Sequence, residues 1–447
     1  MSTPRALYGE KCDRLAARLH EGEGIVGLAK DTSNLFRDRA AISKRALDVR
    51  EFNGILQVDR EAGFVEAEGM VPYETLVDAC LEHEVMPAVV PELKTITLGG
   101  ALAGVGVEAT SHRHGLVHET ALELEVLTGD GRFVVCSPDN DHADLFYGMP
   151  NSYGTLGYAL RIKARVLPVL PFVHVEHLPF TDARAFFEAL ESHCRDDDAD
   201  FIDGTVFAPD RMYLSLGRFA ADAPFASDYG FEQIYYRSIE AKREDWLATR
   251  DYIWRWDTDW FWCSKNVYAQ HPLVRRLLGR KRLGSRTYTR LMRWNSRVGL
   301  TRRIERMRGL HSESVIQDID IPIARAAEYL EFHAREIGIW PMWVCPIGAR
   351  PGAERFVLYP LNPGIYVNFG FWDLIRTRSA HPAGHFNRMV EDKVSELGGI
   401  KSLYSQSFYE RSEFDRIYGG NAYYELKEKY DPGRVFPELY EKCVLGH

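Results

Sequence analysis

The stretch LGGALAGVGVEATSHRHG, residues 98–115, sets five glycines among small and polar neighbours. Backbone so short of side chains can approach a bulky partner closely and adopt conformations closed to other residues. Within it, Gly104, Gly106 and Ala109 match the G-x-G-x-x-A fingerprint of a Rossmann unit. That fingerprint needs a buried strand before it and a helix after it. The preceding TITLGGALA is itself glycine-broken, and the following TSHRHGLVHE lacks an apolar helical period. A Rossmann unit is therefore set aside.

A different arrangement uses three segments together. Asp31, Thr32, Ser33 and Asn34 form a polar turn whose amides and hydroxyls suit phosphate oxygens. Gly99, Gly100, Gly104 and Gly106 let a second loop approach the same guest. Gly154, Thr155 and Gly157, in SYGTLGYALRI, precede a strand where bare backbone can lie against a flat ring. Taken singly each is an ordinary turn. In this order they make a clamp for an extended dinucleotide.

The surrounding pattern predicts small sheets with intervening helices, an α+β chain rather than a regular βαβ series. ALELEVLTGDGRFVVCS reads as a hairpin, PYETLVDACLEHE as a helix, and ALRIKARVLPV as a long alternating strand. The prolines of PVLPF divide the chain. We expect a first domain over 1–170, a second over 171–400 that carries the tryptophans, and an aromatic helical segment over 401–447 packing back on the first. Seven dispersed cysteines without a CxxC argue for reduced thiols in the cytoplasm, against a disulfide framework and against a zinc site. No apolar run is long enough for a transmembrane helix, and the N-terminus lacks the apolar core of a secretory signal.

At these residues the chain resembles the FAD-linked oxidoreductases of the vanillyl-alcohol-oxidase (PCMH-type) fold. More narrowly it is similar to their delta-24-sterol reductase (Diminuto/seladin) branch. The resemblance is carried by PELKTITLGGALAGVGVEATSHRHGLVHE, DLFYGMPNSYGTLGY, WPMWVCP, LYSQSFYERSEF and YYELKEKYDPGRVFPELYEKC. It implies a two-subdomain FAD-binding domain and an α+β substrate, or cap, domain. It also implies FAD held non-covalently, with Thr97, Ser111, His112 and Gly115 added to the three clamp segments as cofactor contacts. His112 and His114 are the residues to test for covalent flavin attachment. The membrane helix that precedes the sterol enzymes has no counterpart here.

The branch reduces an isolated carbon–carbon double bond in a lipid with NADPH. Such chemistry requires a proton donor within apolar or aromatic walls. Trp340, Trp343, Phe369, Phe371 and Trp372 are the expected walls, and Tyr404, Tyr409 and Asp373 the candidate donors. Each aromatic taken singly also suits plain core packing.

One feature lies outside what the fold requires. Residues 273–308 hold thirteen Arg or Lys against Glu305 alone, in a chain of net charge −9. Arg275, Arg276, Arg280, Lys281 and Arg282, interleaved with leucines, predict a patch for anionic lipid headgroups. A solvated helix pair and a site for anionic NADPH are the other readings of this charge. Nucleic acid is not the expected partner, since the rest of the chain is acidic.

Three functions stand at this point. The first is a peripheral membrane reductase of a lipid or fatty-acyl alkene, similar to the actinobacterial flavoprotein that converts a 10-methylene acyl chain to 10-methylstearoyl, with a methyltransferase as possible partner. The second is an FAD-dependent oxidase or dehydrogenase of an alcohol, sugar or lactone. The third is a flavin-free membrane-binding scaffold.

Overall fold

The computed structural model describes residues 4–31, 36–37, 44–260, 262–287 and 309–447. Eight strands build the N-terminal domain: β1 (Val26–Ala29), β2 (Arg45–Asp48), β3 (Ile55–Asp59), β4 (Phe64–Glu68), β5 (Val85–Pro87), β6 (Ala121–Leu127), β7 (Phe133–Cys136) and β8 (Tyr158–Pro168). β1 and β2 form a separate parallel pair. The others form an antiparallel sheet in the order β3-β4-β8-β6-β7, with β5 alongside β8. Small sheets with short helices between them make an α+β fold, as the sequence pattern requires.

The glycine stretch departs from expectation at its start. Leu98–Ala103 is a short helix rather than a loop, its first turn capped by Thr97, whose Oγ1 accepts from the Gly100 amide at 3.2 Å. Leu98, Ala101 and Leu102 are buried in the core and hold it there. This helix lies nearly on top of β8. The Gly99 amide donates to Gly69 O at 2.8 Å. A Cβ at Gly99 would stand 2.9 Å from that oxygen and 3.0 Å from Ala159 O. One role of the glycines is thus helix-to-sheet contact.

The cap contributes β9 (Phe172–Phe180), β10 (Phe201–Ala208), β11 (Arg211–Ala220), β12 (Glu244–Ala248), β13 (His311–Pro322), β14 (Met342–Ala349), β15 (Gly364–Thr377) and β16 (Ile400–Lys401). They form one antiparallel sheet in the order β12-β9-β11-β10-β14-β15-β13-β16. Helices Ala183–Asp196, Ile323–Phe332 and His385–Glu396 cover one face, around a core that includes Phe186, Leu330, Val344, Phe369 and Val390. The opposite face of β13–β15 turns to the N-terminal domain.

Two seams join the halves. One-turn helix Ser111–His114 abuts β14 so closely that a Cβ at Gly348 would meet His112 O at 2.1 Å. The Ile202 amide also donates to Ala109 O. Beyond β16, the C-terminal segment returns to the N-terminal domain. Val26 N donates to Val435 O, Gly129 N donates to Tyr430 O, and Lys427 Nζ donates to Thr155 O at 2.7 Å.

Candidate active site

Between the glycine-lined wall and the inward face of β13–β15 lies a cavity of about 520 Å³, within the range of small-molecule and cofactor sites. Strand alternation decides which cap residues reach it. Trp343, Gly370 and Asp318 stand side by side across β14, β15 and β13, and Cys345, Asn368 and Asp320 form the next row. Ile316 pairs with Trp372 one row further on. From these rows Trp343, Asp318, Asn368, Asp320, Ile316 and Trp372 line the cavity. Gly370 leaves room for its neighbours: a Cβ there would sit 2.8 Å from Asp318 Oδ1.

The cavity face is rich in buried acid. Asp318 is hydrogen-bonded by Tyr404, which also lines the cavity, yet burial pushes its carboxyl up to about 7. Asp320 accepts from Asn368 Nδ2 at 2.7 Å and from Tyr359 OH at 2.8 Å, and burial raises it to about 6. Glu92 reaches the cavity from the N-terminal domain. Burial, and then the nearby Glu108 carboxylate, raise it well above the ordinary range. Behind these residues Arg255 is fully buried, donating to Glu108 at 2.8 Å and to Asp203 at 2.6 Å. Asp203 in turn accepts from the Trp343 indole at 3.3 Å, which fixes that ring.

The other end of the cavity is cationic. Lys30, Lys44, Arg37 and Lys442 all line it. Lys442 Nζ donates to Tyr153 O at 2.6 Å, and the Arg37 guanidinium stands 4.6 Å from the Tyr153 ring centre. Burial, together with Arg37, Lys44 and Lys30, lowers Lys442 to about 7. Like charges so gathered are relieved by a polyanion. Among the described residues, the buried Glu92 Oε1 and Asn368 Oδ1, both on cavity-lining residues, lack partners. A guest with an anionic centre, hydrogen-bonding groups and a flat ring suits this lining, and FAD has all three.

Of the residues expected at the cofactor, Thr97, Gly99, Gly100, Gly104, Gly106, Gly154 and Gly157 line the cavity. Thr32, Ser33 and Asn34 lie outside the described residues, and the Asp31 side chain is exposed, 4.0 Å from Arg50. Ser111, His112, Gly115 and Thr155 do not line the cavity. Ser111 Oγ accepts from the Glu108 amide at 3.1 Å. The His112 ring meets Ala109 O at 2.9 Å and Ala199 O at 3.2 Å, so it braces the domain seam and does not line the cavity. His114 does not line it either. Gly115 has φ 71°, and a Cβ there would collide with the Glu119 carboxylate, so its constraint is local. The Thr155 hydroxyl is spent on Ser152 O at 2.8 Å.

Among the expected walls, Trp343 and Trp372 line the cavity, whereas Phe369, Phe371 and Trp340 pack on the helical face of the cap sheet. Phe369 and Phe371 stand one residue out of phase with Asn368 and Trp372, which sends them to the opposite face. Of the candidate donors only Tyr404 reaches the cavity. Tyr409 is buried against Phe414 and Tyr418, and Asp373 faces Lys265 at 3.4 Å. Asp318 and Asp320 do carry a sequence signal: IQDIDIP places two acids in phase on a mostly apolar alternating strand. Glu92, Arg37 and Lys442 have no comparable local signal.

Comparison with known proteins fits this geometry. Residues 25–137 match the family model described as an FAD binding domain. Fold and matches together support an FAD-dependent oxidoreductase of the PCMH type, similar to the sterol-reductase branch. The relatives that carry this likeness are proteins named Delta(24)-sterol reductase. The human protein is 25% identical over 410 residues, covering 87% of this chain and 75% of that protein. The pea (Pisum sativum) protein is 24% identical over 485 residues, covering 97% and 83%. Cytokinin dehydrogenase 7 of Oryza sativa subsp. japonica is 32% identical, but over 29% of this chain. Among the described residues no helix is long and apolar enough to cross a membrane.

Proposed function

We propose that this protein is an FAD-dependent, NADPH-driven reductase of an isolated carbon–carbon double bond in a lipid or fatty-acyl chain. The observation that carries this reading is Asp318, a half-buried carboxyl on the tryptophan-bearing face of the cavity, which desolvation raises to about 7. An isolated alkene has no carbonyl to polarise it. It must be activated by protonation, which calls for an acid still carrying its proton near neutral pH. Asp318 meets that requirement. Its proton adds to the less substituted carbon, the alkene electron pair forms the new C–H bond, and a tertiary cation remains.

When bound, reduced FAD supplies hydride from N5 to that carbon, and NADPH restores its electrons. Trp343 and Trp372 offer aromatic faces that favour developing positive charge. Buried walls keep water from trapping the cation. Tyr404, hydrogen-bonded to Asp318, stabilises the carboxylate left behind until solvent returns the proton.

The relatives named as sterol reductases support an alkene carried on a lipid. We favour a 10-methylene acyl phospholipid, reduced to the 10-methyl acyl product, because its methylene protonates directly to a tertiary cation. A methyltransferase acting on an unsaturated chain is the class of enzyme that supplies such a substrate.

The test is anaerobic. NADPH should bleach the yellow protein, and 10-methylene acyl phosphatidylglycerol should then restore the colour. In D2O the new methyl group should carry one solvent deuterium. No bleaching by NADPH or NADH removes the reductase reading. Rapid bleaching by a simple alcohol, sugar or lactone assigns the protein to oxidation instead.

A further inference from the structure

Three of the eight large apolar side chains that stand exposed among the described residues fall close together, at Tyr268, Leu273 and Leu277, with exposures of 79%, 70% and 83%. The other five are scattered singly, which is ordinary for a soluble surface. Leu273 and Leu277 lie on helix Pro272–Leu278. Arg276 joins them at the i, i+3, i+4 spacing of one helical stripe, and Arg280 follows just beyond the helix end at Gly279, φ 69°. Arg276 pairs with Glu232 and Arg280 with Asp228, all four side chains more than half exposed. Such exposed pairs are weak and screened, so lipid phosphates compete for the same guanidinium groups. Lys281 and Arg282 follow immediately, both exposed.

Arg275 does not belong to this stripe. It is 2% exposed and its Nε donates to Phe231 O at 2.7 Å, which anchors the helix and corrects its place in the expected anionic-lipid patch. The inner side of the helix leads to the active site. Leu278 packs on the cluster that contains Trp260, Cys263 and Ala269, together with Phe36 and Trp372. Trp260, Phe36 and Trp372 themselves line the cavity. Trp260, Trp262 and Tyr268 hold left-handed backbone, with φ of 53°, 55° and 58°. Bulky residues adopt that conformation only where their surroundings impose it. An apolar and cationic surface is thus joined to the cavity wall through a single layer of side chains.

We propose that the surface spanning Tyr268–Arg282 docks on an anionic lipid bilayer, with Leu273 and Leu277 entering the acyl boundary. It then delivers the acyl chain past Leu278 and Trp260 into the cavity. This deepens the lipid-reductase reading and rests on it for the identity of the cargo. Docking itself rests on the exposed leucines beside four cations. An isolated cationic patch binds headgroups without insertion, and an isolated apolar patch ignores lipid charge. Here both are present on one short segment.

The experiment measures co-sedimentation of the yellow holoprotein with vesicles of phosphatidylglycerol and phosphatidylcholine, and with phosphatidylcholine alone. Wild type should partition to the anionic vesicles. Leu273→Asp/Leu277→Asp and, separately, Arg280→Glu/Lys281→Glu/Arg282→Glu should each lower that partitioning by about tenfold or more. Flavin absorbance and the thermal midpoint should stay unchanged in both, as their exposure predicts. Reduction of vesicle-borne substrate should fall with binding, while reduction of a detergent-dispersed short-chain analogue should persist.

Wild-type sedimentation by both variants overturns the docking surface. So does equal binding to neutral and anionic vesicles. Self-association of the free protein that the leucine variant abolishes reassigns the face to a second copy of the chain and likewise overturns the proposal. Vesicle binding without turnover of any alkene strikes the reductase reading and leaves the docking surface supported.

Discussion

Along β13 the even-numbered side chains Ile316, Asp318 and Asp320 face the cavity, while Val315, Ile319 and Ile321 pack into the cap core. On β15 the same division separates Asn368 and Trp372 from Val367, Phe369 and Phe371. One face therefore holds titratable groups and tethered rings, and the other holds close-packed hydrocarbon around a buried Gln317–Asn387 hydrogen bond. Both are buried. Burial of an apolar ring stabilises the fold, whereas burial of a carboxyl costs stability and is repaid as a proton held at neutral pH. The difference between the faces is one of purpose: the core face supplies free energy, and the cavity face spends it.

Substitutions on the two faces should separate turnover from stability. Asp318→Asn keeps the shape and removes the transferable proton. Alkene reduction should fall by about 10²- to 10⁴-fold, with flavin bleaching by NADPH retained and no loss of thermal midpoint. A variant that bleaches and still turns over normally would move the donor elsewhere, with Glu92 next to be tested.

On the packed face, Phe369→Ala should cost about 3–5 kcal/mol of stability, read by denaturant unfolding, while turnover per folded molecule stays near wild type. Loss of turnover at unchanged stability would break the division of the sheet. Tyr404→Phe removes the hydrogen bond that stabilises ionised Asp318, worth about 1.5–3 kcal/mol for a charged acceptor. Turnover should drop by about tenfold or somewhat more. The alkaline limb of its pH profile should move upward, because the carboxyl then holds its proton to higher pH. Rates that fall without movement of that limb would give Tyr404 a merely structural part.

A further prediction concerns pH and stability. The Asp318 carboxyl is raised from 3.8 to about 7 in the folded protein. Between those values the folded state binds the extra proton, so this group's contribution is fully present below pH 3.8 and is lost as pH rises toward 7. Asp318→Asn should flatten that part of the stability profile and gain on wild type at pH 8. An unchanged profile would mean that Asp318 is not buried as a carboxyl in solution.

The two histidines show where reading a motif stops. Five glycines in one stretch mark a close approach of backbone, and Gly99, Gly100, Gly104 and Gly106 do line the cavity. The same stretch continues into His112, which the chain carries away to the domain seam, because one helical turn at Ser111–His114 redirects it. Hairpin β6–β7 and strand β8 were legible from alternation and turn residues alone. The helix at Leu98–Ala103 was hidden, since glycine carries a helix penalty of about 1 kcal/mol that packing on β8 overrides.

The sequence by itself determined the α+β pattern and the glycine positions that open the cavity. It determined the chemistry available as well, since tryptophans and acids are written plainly in β13–β15. Which of those side chains share the cavity was decided only by tertiary structure. Strand phase is set by pairing with distant partners, and a shift of one residue exchanges Phe369 for Asn368 at the site. The raised carboxyl of Asp318 belongs to the same category. It arises from exclusion of water by two domains brought together, a property that no local stretch of the chain contains.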